Sequence, residues 1–283
     1  MRTADQRIIL GLYRARPCRD LLEAAVRLGV AELDTAFSYS DFASHALLAG
    51  IGSDITAHLK VTTKVGFFID GHDLTPARLA EAAHRTADDL GRVPDTLLLH
   101  NPERSAPRFA RACEELIRLR DAGLCGAWGV SSWDPTALLG QSVSQPPDVL
   151  MVRCGLAVSA RVLSAAEKLI SQLRPREVRG MSPFGGTTAG RIWRTVDPAM
   201  FLDPASRDTA PTRAQSALAV AFAVPRVSAV AVGTSDAAHL GQLCDAAKLR
   251  ADPDTVGRYR SLLATRRTLT ETQPATVEES TPA

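Results

Sequence analysis

Lysine and aromatic residues are scarce in this chain, and CxxC pairs and long apolar runs are absent from its sequence. Only four lysines accompany 29 arginines, and 33 basic residues nearly balance 31 acidic ones, so the formal net charge is +2. No block of basic residues stands out, which removes electrostatic support for binding to nucleic acid or to a membrane surface. No apolar run approaches the roughly 20 residues that a membrane-spanning helix needs.

The N-terminus and the cysteines both argue against an exported protein. The first seven residues, MRTADQR, lack the apolar stretch of a signal peptide. The five cysteines are odd in number and form no CxxC pair, so neither a disulfide framework nor a zinc site is indicated. We therefore expect a cytoplasmic protein with buried thiols and no metal. Few lysines beside many alanines indicate a bacterial gene of high GC content.

Short apolar runs alternate with longer amphipathic ones along most of the chain. The short runs are almost continuously apolar, which is typical of strands buried on both faces of a parallel sheet. The predicted strands are 7–13, 31–36, 58–66, 95–100, 127–131, 149–154, 177–183 and 228–233. The predicted helices are 19–28, 40–49, 76–90, 106–122, 135–139, 160–173, 212–223 and 237–249, with an extra helix at 253–265.

Eight strand–helix units predict an α/β fold, a single-domain (β/α)8 TIM barrel over residues 1–268. A doubly wound dinucleotide-binding sheet is disfavoured because no GxGxxG motif follows the first strand. Two segments fall outside the alternation. A long loop is expected over 185–211, and residues 269–283, rich in Thr, Glu and Pro, are expected to form a disordered tail.

Four polar residues lie where three consecutive predicted strands end. Asp34 ends the second strand with Tyr39 five residues later, Lys64 ends the third, and His100 ends the fourth. Active sites of this fold are built at the carboxyl ends of the strands, so the four side chains would meet at the barrel mouth. Each alone has an ordinary explanation as a cap, a loop aromatic, a rim charge or a core histidine. Together they form a candidate proton-transfer site.

The chemistry of this set follows from electrostatics. A free tyrosine has a pKa of about 10, too high for ready proton donation at neutral pH. The Lys64 ammonium would stabilise the phenolate and lower the pKa of Tyr39, while Asp34 would hold the lysine charged and in place. His100 would orient a carbonyl oxygen toward the phenol. The set therefore suits protonation of a carbonyl oxygen while hydride arrives at the carbon.

Six segments, in this order, resemble the aldo-keto reductase superfamily over roughly residues 6–249. They are LDTAFSY (33–39), TKVG (63–66), LLLHNPE (97–103), GVSS (129–132), MSPFGG (181–186) and VGTSDAAHL (232–240). The resemblance implies a (β/α)8 barrel that reduces a small-molecule aldehyde or ketone with NADPH, or alternatively with NADH. It assigns catalysis to the four residues named above, with Tyr39 as the general acid. A monomer is the default expectation.

The resemblance also implies a cofactor site, in which this chain departs from the usual family pattern. The implied residues are Ser131, Ser132, Met151, Met181, Ser182, Pro183, Phe184, Gly233, Thr234, Ser235 and His239. Ser132 stands where the family usually has asparagine, Met151 where it has glutamine, and His239 where arginine is frequent. Backbone amides of the Gly-Thr-Ser segment would bind phosphate near a helix N-terminus. Arg191 or Arg194 would supply the missing cation, unless both are solvated loop residues.

Aromatic residues near the predicted strand ends are the candidate walls of a substrate pocket. They are Tyr13, Phe37, Phe67, Phe68, Trp133 and Trp193, and ordinary packing is an equal alternative for each. A second hypothesis for the whole protein stays open. The replacements at Ser132, Met151 and Met181 also suit a barrel that keeps the four polar residues but acts as a lyase, an isomerase or a non-catalytic binding subunit.

Overall fold

Eight parallel strands close into a barrel in the computed structural model, which describes residues 5–15, 17–186 and 191–272. The barrel strands are β1 (Ile8–Gly11), β2 (Glu32–Asp34), β3 (Lys60–Val65), β6 (Thr96–His100), β7 (Ala127–Ser132), β8 (Val149–Arg153), β9 (Glu177–Met181) and β10 (Ala229–Val232). Each pairs with the next, and β10 pairs with β1. A separate antiparallel hairpin, β4 (Phe67–Phe68) with β5 (Gly71–His72), follows β3. The predicted barrel is confirmed.

Helices connect the strands and cover the outside of the barrel. They are α1 (Arg19–Arg27), α2 (Ser44–Ile51), α3 (Ser53–Thr56), α4 (Pro76–Leu90), α5 (Phe109–Asp121), α6 (Ala160–Leu173), α7 (Arg191–Thr195), α8 (Pro204–Asp208), α9 (Arg213–Ala221), α10 (Ala237–Ala246) and α11 (Pro253–Thr272). Proline at the first position starts α4, and Gly91, left-handed at φ 66°, ends it. Within the described ranges, no helix has the length and apolarity needed to cross a membrane.

The long loop predicted over 185–211 is wrong, because much of this segment is helical. α7 and α8 lie in it, with a 3-10 helix at Pro198–Phe201 between them. Asp197 and Asp203 each precede a proline, and their side chains accept hydrogen bonds from the backbone amides of Ala199 and Ser206 at 3.1 and 2.7 Å. An aspartate cap before a proline is a helix-start signal that the prediction passed over. Residues 187–190 lie outside the described residues.

The C-terminal boundary also differs from the prediction. α11 continues to Thr272, so the first residues of the predicted tail, 269–272, are helical. The predicted disorder of the remaining tail, 273–283, concerns residues that lie outside the described part of the chain.

Side chains alternate along each strand between the barrel interior and the surrounding helices. The apolar cluster of the interior comprises Ile9, Leu98, Val149, Met151, Ala229 and Ala231. The neighbours of Leu98 on β6, Leu97 and Leu99, pack instead with helical residues outside the barrel. Each fully buried leucine contributes about 1.5–3 kcal/mol of transfer free energy, so both faces of the strands stabilise the fold.

A charged cluster crosses the barrel interior near the amino ends of the strands. It consists of Glu32, Thr62, Glu177 and Arg179, which we call the floor cluster. The Arg179 guanidinium contacts Glu32, donates to the Thr62 hydroxyl at 2.9 Å and reaches Glu177 at 2.8 and 2.9 Å. Thr62 donates to Glu32 at 2.5 Å. β1 and β10 lie between β2 and β9 in the barrel, so the cluster spans its interior.

Candidate active site

Asp34 and Lys64 form a buried ion pair at the carboxyl end of the barrel. The parallel register pairs Asp34 with Thr62, which places Lys64 two residues further toward the mouth on the neighbouring strand. Lys64 Nζ donates to both Asp34 carboxylate oxygens at 2.7 Å and to the carbonyl oxygen of Thr35 at 2.8 Å. Burial alone would lower the pKa of Lys64, but Asp34 and Tyr39 raise it above its ordinary value. The lysine is therefore held in its charged form.

Tyr39 lies beside this ammonium group in the loop after β2. Lys64 Nζ is 5.1 Å from the centroid of the Tyr39 ring. Burial raises the pKa of Tyr39, and the favourable effect of Lys64 only partly offsets it. Lys64 thus acts in the expected direction and lowers the pKa of Tyr39, but lost hydration outweighs the ammonium charge and the net pKa lies above its ordinary value. The phenol consequently keeps its proton at neutral pH, which is the state that a proton donor needs.

The backbone after Tyr39 is unusual. Ser40, Asp41 and Phe42 all have positive φ, at 51°, 53° and 68°, although none is glycine. Left-handed conformations of such residues cost roughly 1–2 kcal/mol each, and strain of this kind concentrates at functional sites. The turn brings the chain back so that the amide of Ser44 donates to the Tyr39 carbonyl oxygen at 3.3 Å. This segment fixes where the tyrosine sits.

His100, the last residue of β6, completes the group of four. Its ring centroid lies 5.9 Å from that of Tyr39 and 4.8 Å from that of Phe67, edge to face in both cases. Burial lowers the pKa of His100 well below its usual range, with further contributions from Lys64 and His72. The imidazole is therefore neutral. Its Nδ1 is buried and has no hydrogen-bond partner within the described residues.

Two further residues support this site, and the sequence prediction missed them both. His72, on the unpredicted β4–β5 hairpin, donates from Nε2 to the carbonyl oxygen of His100 at 2.9 Å. Glu103, present in the LLLHNPE segment but given no role, accepts from the backbone amides of Trp133 and Asp134 at 2.8 and 3.1 Å. Only the hairpin's Gly71 and the lone acidic residue of LLLHNPE could have indicated them.

The predicted pair Ser131 and Ser132 divides between the two faces of β7. The Ser132 hydroxyl donates a hydrogen bond to the Glu103 carboxylate at 2.8 Å. This contact lies outside the barrel interior. Ser131 is the register partner of His100 on one side and of interior Met151 on the other. Since register partners in a parallel sheet point to the same side, Ser131 faces the interior. Ser132 is therefore not positioned beside Ser131 as a second ligand of the same group.

The interior side chains near Ser131 form an apolar shelf. Met151 is fully buried on β8, and half-buried Met181 ends β9. The Ser131 hydroxyl lies 3.8 Å from the Met181 sulfur, a weak contact that leaves the hydroxyl able to bind a stronger acceptor. The structure thus brings three of the predicted cofactor residues together with His100.

A tight turn follows the shelf at the end of β9. Ser182 has a positive φ of 53°, and Pro183 is buried. The carbonyl oxygen of Phe184 accepts a hydrogen bond from Trp193 Nε1 at 3.0 Å. Trp193 is therefore tied to the predicted cofactor segment 182–184 rather than placed among the four polar residues.

The end of β10 carries an anion of its own. Asp236 caps α10, and its Oδ1 accepts from the amides of Ala238 and His239 at 2.7 and 3.0 Å. These hydrogen bonds lower the pKa of Asp236. The predicted phosphate site at Gly233, Thr234 and Ser235 is thus next to a carboxylate that already occupies two amides of the helix N-terminus. His239 is exposed there, Arg194 is exposed on α7, and the Arg191 side chain lies outside the described residues.

The predicted pocket aromatics separate into two groups. Tyr13, 63% exposed, lies 5.1 Å from the Tyr39 ring, and Phe67 packs on His100, so both are at the mouth. Phe37 and Phe68 are instead buried against each other, 5.9 Å between centroids. They face a separate groove of about 230 Å³ on the flank, which none of the four polar residues lines. For Phe37 and Phe68 the packing alternative fits these contacts.

Comparison with known proteins gives one family match. The model described as "Aldo/keto reductase family" matches residues 14–152, just under half of the chain. This range contains all four polar residues and Ser131, Ser132 and Met151. No curated protein sequence matches the chain.

Solved structures extend the similarity over most of the chain. An aldo-keto reductase from Bacillus halodurans, in its holo form, shares 18% identity with a TM-score of 0.69, covering 91% of both chains. An aldo-keto reductase from Klebsiella pneumoniae in complex with NADPH shares 18% identity with a TM-score of 0.68, covering 91% of this chain and 90% of its own. At these identities the likeness establishes the fold.

Proposed function

We propose that this chain, whose residues 14–152 match the model described as "Aldo/keto reductase family", catalyses an NAD(P)H-dependent reduction of an aldehyde or ketone. The observation that carries the proposal is the Asp34–Lys64 ion pair beside Tyr39. A charged ammonium, buried and fixed by three hydrogen bonds, adjoins a phenol that keeps its proton. This is the arrangement that a general acid needs at the moment it gives up its proton.

Tyr39 is the proton donor in this proposal. As negative charge develops on the carbonyl oxygen, the phenol transfers its proton, and the Lys64 ammonium stabilises the phenolate that results. The raised pKa of the buried Tyr39 keeps its phenol protonated before the reaction. The nearby Lys64 ammonium then favours proton transfer in the transition state. Asp34 keeps Lys64 charged and holds its ammonium group in place, so Asp34 acts on the reaction only indirectly, through Lys64.

His100 positions the substrate. The His100 ring is neutral, and its centroid lies 5.9 Å from that of the Tyr39 ring. Its Nδ1 is buried and has no hydrogen-bond partner among the described residues. A neutral imidazole donates one hydrogen bond to a carbonyl oxygen without competing for the phenol proton. The oxygen is then held between His100 and Tyr39, which restricts the carbonyl group to one orientation.

A bound NAD(P)H supplies the hydride in this reaction. Ser131, Met151 and Met181 are the residues that would hold its nicotinamide, since their side chains form one shelf next to His100. Ser132 does not belong to this shelf. We propose NADPH as the cofactor because the similar Klebsiella protein binds it. Asp236 at the N-terminus of α10 argues against a phosphate seated on that helix, so NADH is the alternative.

Titration of the purified protein with NADPH and, separately, with NADH tests the proposal. Saturable quenching of tryptophan fluorescence by either nucleotide, followed by turnover in a screen of aldehydes and ketones, is the expected result. The ratio of the two dissociation constants decides between the cofactors. If neither nucleotide binds at millimolar concentration, the reductase proposal fails and the lyase, isomerase or binding-subunit hypothesis takes its place.

A further inference from the structure

Arg153 ends β8 at the barrel mouth, and no acidic side chain among the described residues forms an ion pair with it. Along β8 it points to the same side as Met151, one step nearer the mouth, and its register partner on β9 is Met181. Its guanidinium carbon lies over the Trp133 ring, 4.5 Å from the centroid. Its Nε is buried, and within the part of the chain that the structure describes it has no hydrogen-bond partner.

The acidic groups in the neighbourhood are already engaged. Asp134 forms an ion pair with Arg161 at 2.5 Å and caps the turn that follows β7. Glu103 accepts hydrogen bonds from Ser132 and from two backbone amides. A half-buried cation normally has a carboxylate or another acceptor beside it, because its lost hydration must be replaced. Asp134 acts on Arg153 through its charge but is bonded to Arg161, so the contact that the structure gives the Arg153 guanidinium is an aromatic face.

We propose that Arg153 and Trp133 bind an anionic group on the carbonyl substrate, so that the preferred substrates are acidic aldehydes or ketones. The guanidinium presents a planar fork that matches a carboxylate or a phosphate, and the indole beneath it holds the fork in place. The site belongs to the same mouth as the proton donor, since Arg153 neighbours the shelf that adjoins His100. The inference rests on the proposed reductase function and names its substrate class.

Two matched aldehydes test the inference by turnover. They are 4-carboxybenzaldehyde, which is an anion at neutral pH, and methyl 4-formylbenzoate, its uncharged ester. Arg153→Gln should lower kcat/KM for the acid by about 10- to 100-fold through KM, the size of effect expected for a lost charge-assisted hydrogen bond. Turnover of the ester and the dissociation constant of NADPH should stay unchanged. Arg153→Lys should recover part of the loss.

Arg104→Gln is the matched control. Arg104 is exposed at the mouth, 5.4 Å over the Phe67 ring, whereas Arg153 is half-buried with an unpartnered buried Nε. Its removal changes the net charge equally and should not affect the preference for the acid. Equal losses on acid and ester in Arg153→Gln, or a loss confined to NADPH affinity, would overturn the proposal. A loss confined to NADPH affinity would mean that Arg153 binds the cofactor phosphates and not the substrate.

A binding measurement tests the anion site without requiring turnover. Calorimetric titration of the wild-type protein with benzoate, phenyl phosphate and neutral benzamide should show saturable binding of an anion only, and that binding should be lost in Arg153→Gln. Comparison of the two anions distinguishes a carboxylate from a phosphate. Absence of anion binding to the wild type overturns the inference, even where NADPH binds. Failure of NADPH to bind overturns only the reductase proposal.

Discussion

His72 donates its Nε2 hydrogen to the carbonyl oxygen of His100 across 2.9 Å, which joins the β4–β5 hairpin to the end of β6. A carbonyl oxygen can only accept, so Nε2 carries the hydrogen and Nδ1 accepts from the Ser105 hydroxyl at 3.0 Å. Burial lowers the pKa of His72, which preserves this neutral form. The hairpin is therefore bonded to the backbone from which the imidazole of His100, the residue proposed to orient the substrate, extends.

Replacing His72 should impair orientation of the substrate more than it impairs folding. In His72→Leu we expect kcat to fall by about tenfold, because removing one hydrogen bond of this kind costs roughly 1–1.5 kcal/mol. His72→Gln, which keeps a donor, should restore part of the rate. Steady-state kinetics and a urea titration of each variant separate the two effects. A loss of stability without any change in kcat would leave His72 with a structural role alone.

Removal of the Tyr39 hydroxyl should abolish the reaction and spare cofactor binding. In Tyr39→Phe we expect kcat to fall by about 10²–10⁴, the range typical of a lost general acid. The fluorescence titration with NADPH should remain as in the wild type. Tyr13→Phe is the matched control, since its ring lies 5.1 Å from Tyr39 but contacts neither Lys64 nor His100 in the proposed mechanism. Near-normal turnover in Tyr39→Phe would exclude Tyr39 as the donor.

The floor cluster should behave as a coupled unit. Arg179→Met removes the guanidinium that faces Glu32 and Glu177, and loss of one partner of a buried ion pair typically destabilises by about 3–5 kcal/mol. The double variant Glu32→Gln with Arg179→Met should be more stable than Arg179→Met alone, because the buried Glu32 carboxylate is then no longer left without its cation. Urea unfolding of the four proteins of this cycle measures the coupling. Additive effects would show that the contacts act independently.

His45 should make the fold sensitive to mild acid. Its Nε2 hydrogen-bonds with the Thr63 hydroxyl at 2.7 Å, and burial lowers the pKa of His45 from 6.5 to about 4. The unfolded chain therefore takes up a proton at a higher pH than the folded chain does. The folded state keeps its full advantage above pH 6.5 and loses it as the pH falls toward about 4.

The size of this effect is on the order of 3 kcal/mol, from about 1.4 kcal/mol for each unit of pKa difference. Urea midpoints measured between pH 4 and 7 should fall with acidity in the wild type, and the slope should be shallower in His45→Gln. His58→Gln, at an exposed position, is the control and should reproduce the wild-type slope. If His45→Gln has the wild-type slope, other groups are responsible for the acid sensitivity.

The sequence allowed the proximity of the four polar residues to be predicted, since Asp34, Lys64 and His100 lie at the ends of consecutive barrel strands and a barrel brings such ends together. It did not indicate His72, because β4 and β5 have two residues each and no pattern of that length is distinctive. Ser132 was assigned from the resemblance, although adjacent strand residues point to opposite faces, and this alternation alone could have separated it from Ser131. The capping role of Asp236 could have been recognised from the sequence, since this residue immediately precedes the predicted helix 237–249.

The floor cluster also determines how the chain can be divided. Glu32 and Thr62 come from the first quarter of the sequence, whereas Glu177 and Arg179 come from the second half. A fragment ending after β6 would present Glu32 to an open interior without its cation, and a fragment starting at β7 would present a guanidinium bonded only to Glu177. Each fragment should therefore fold poorly on its own, but Glu32 of one can pair with Arg179 of the other. This barrel is thus a candidate for reassembly from two co-expressed fragments.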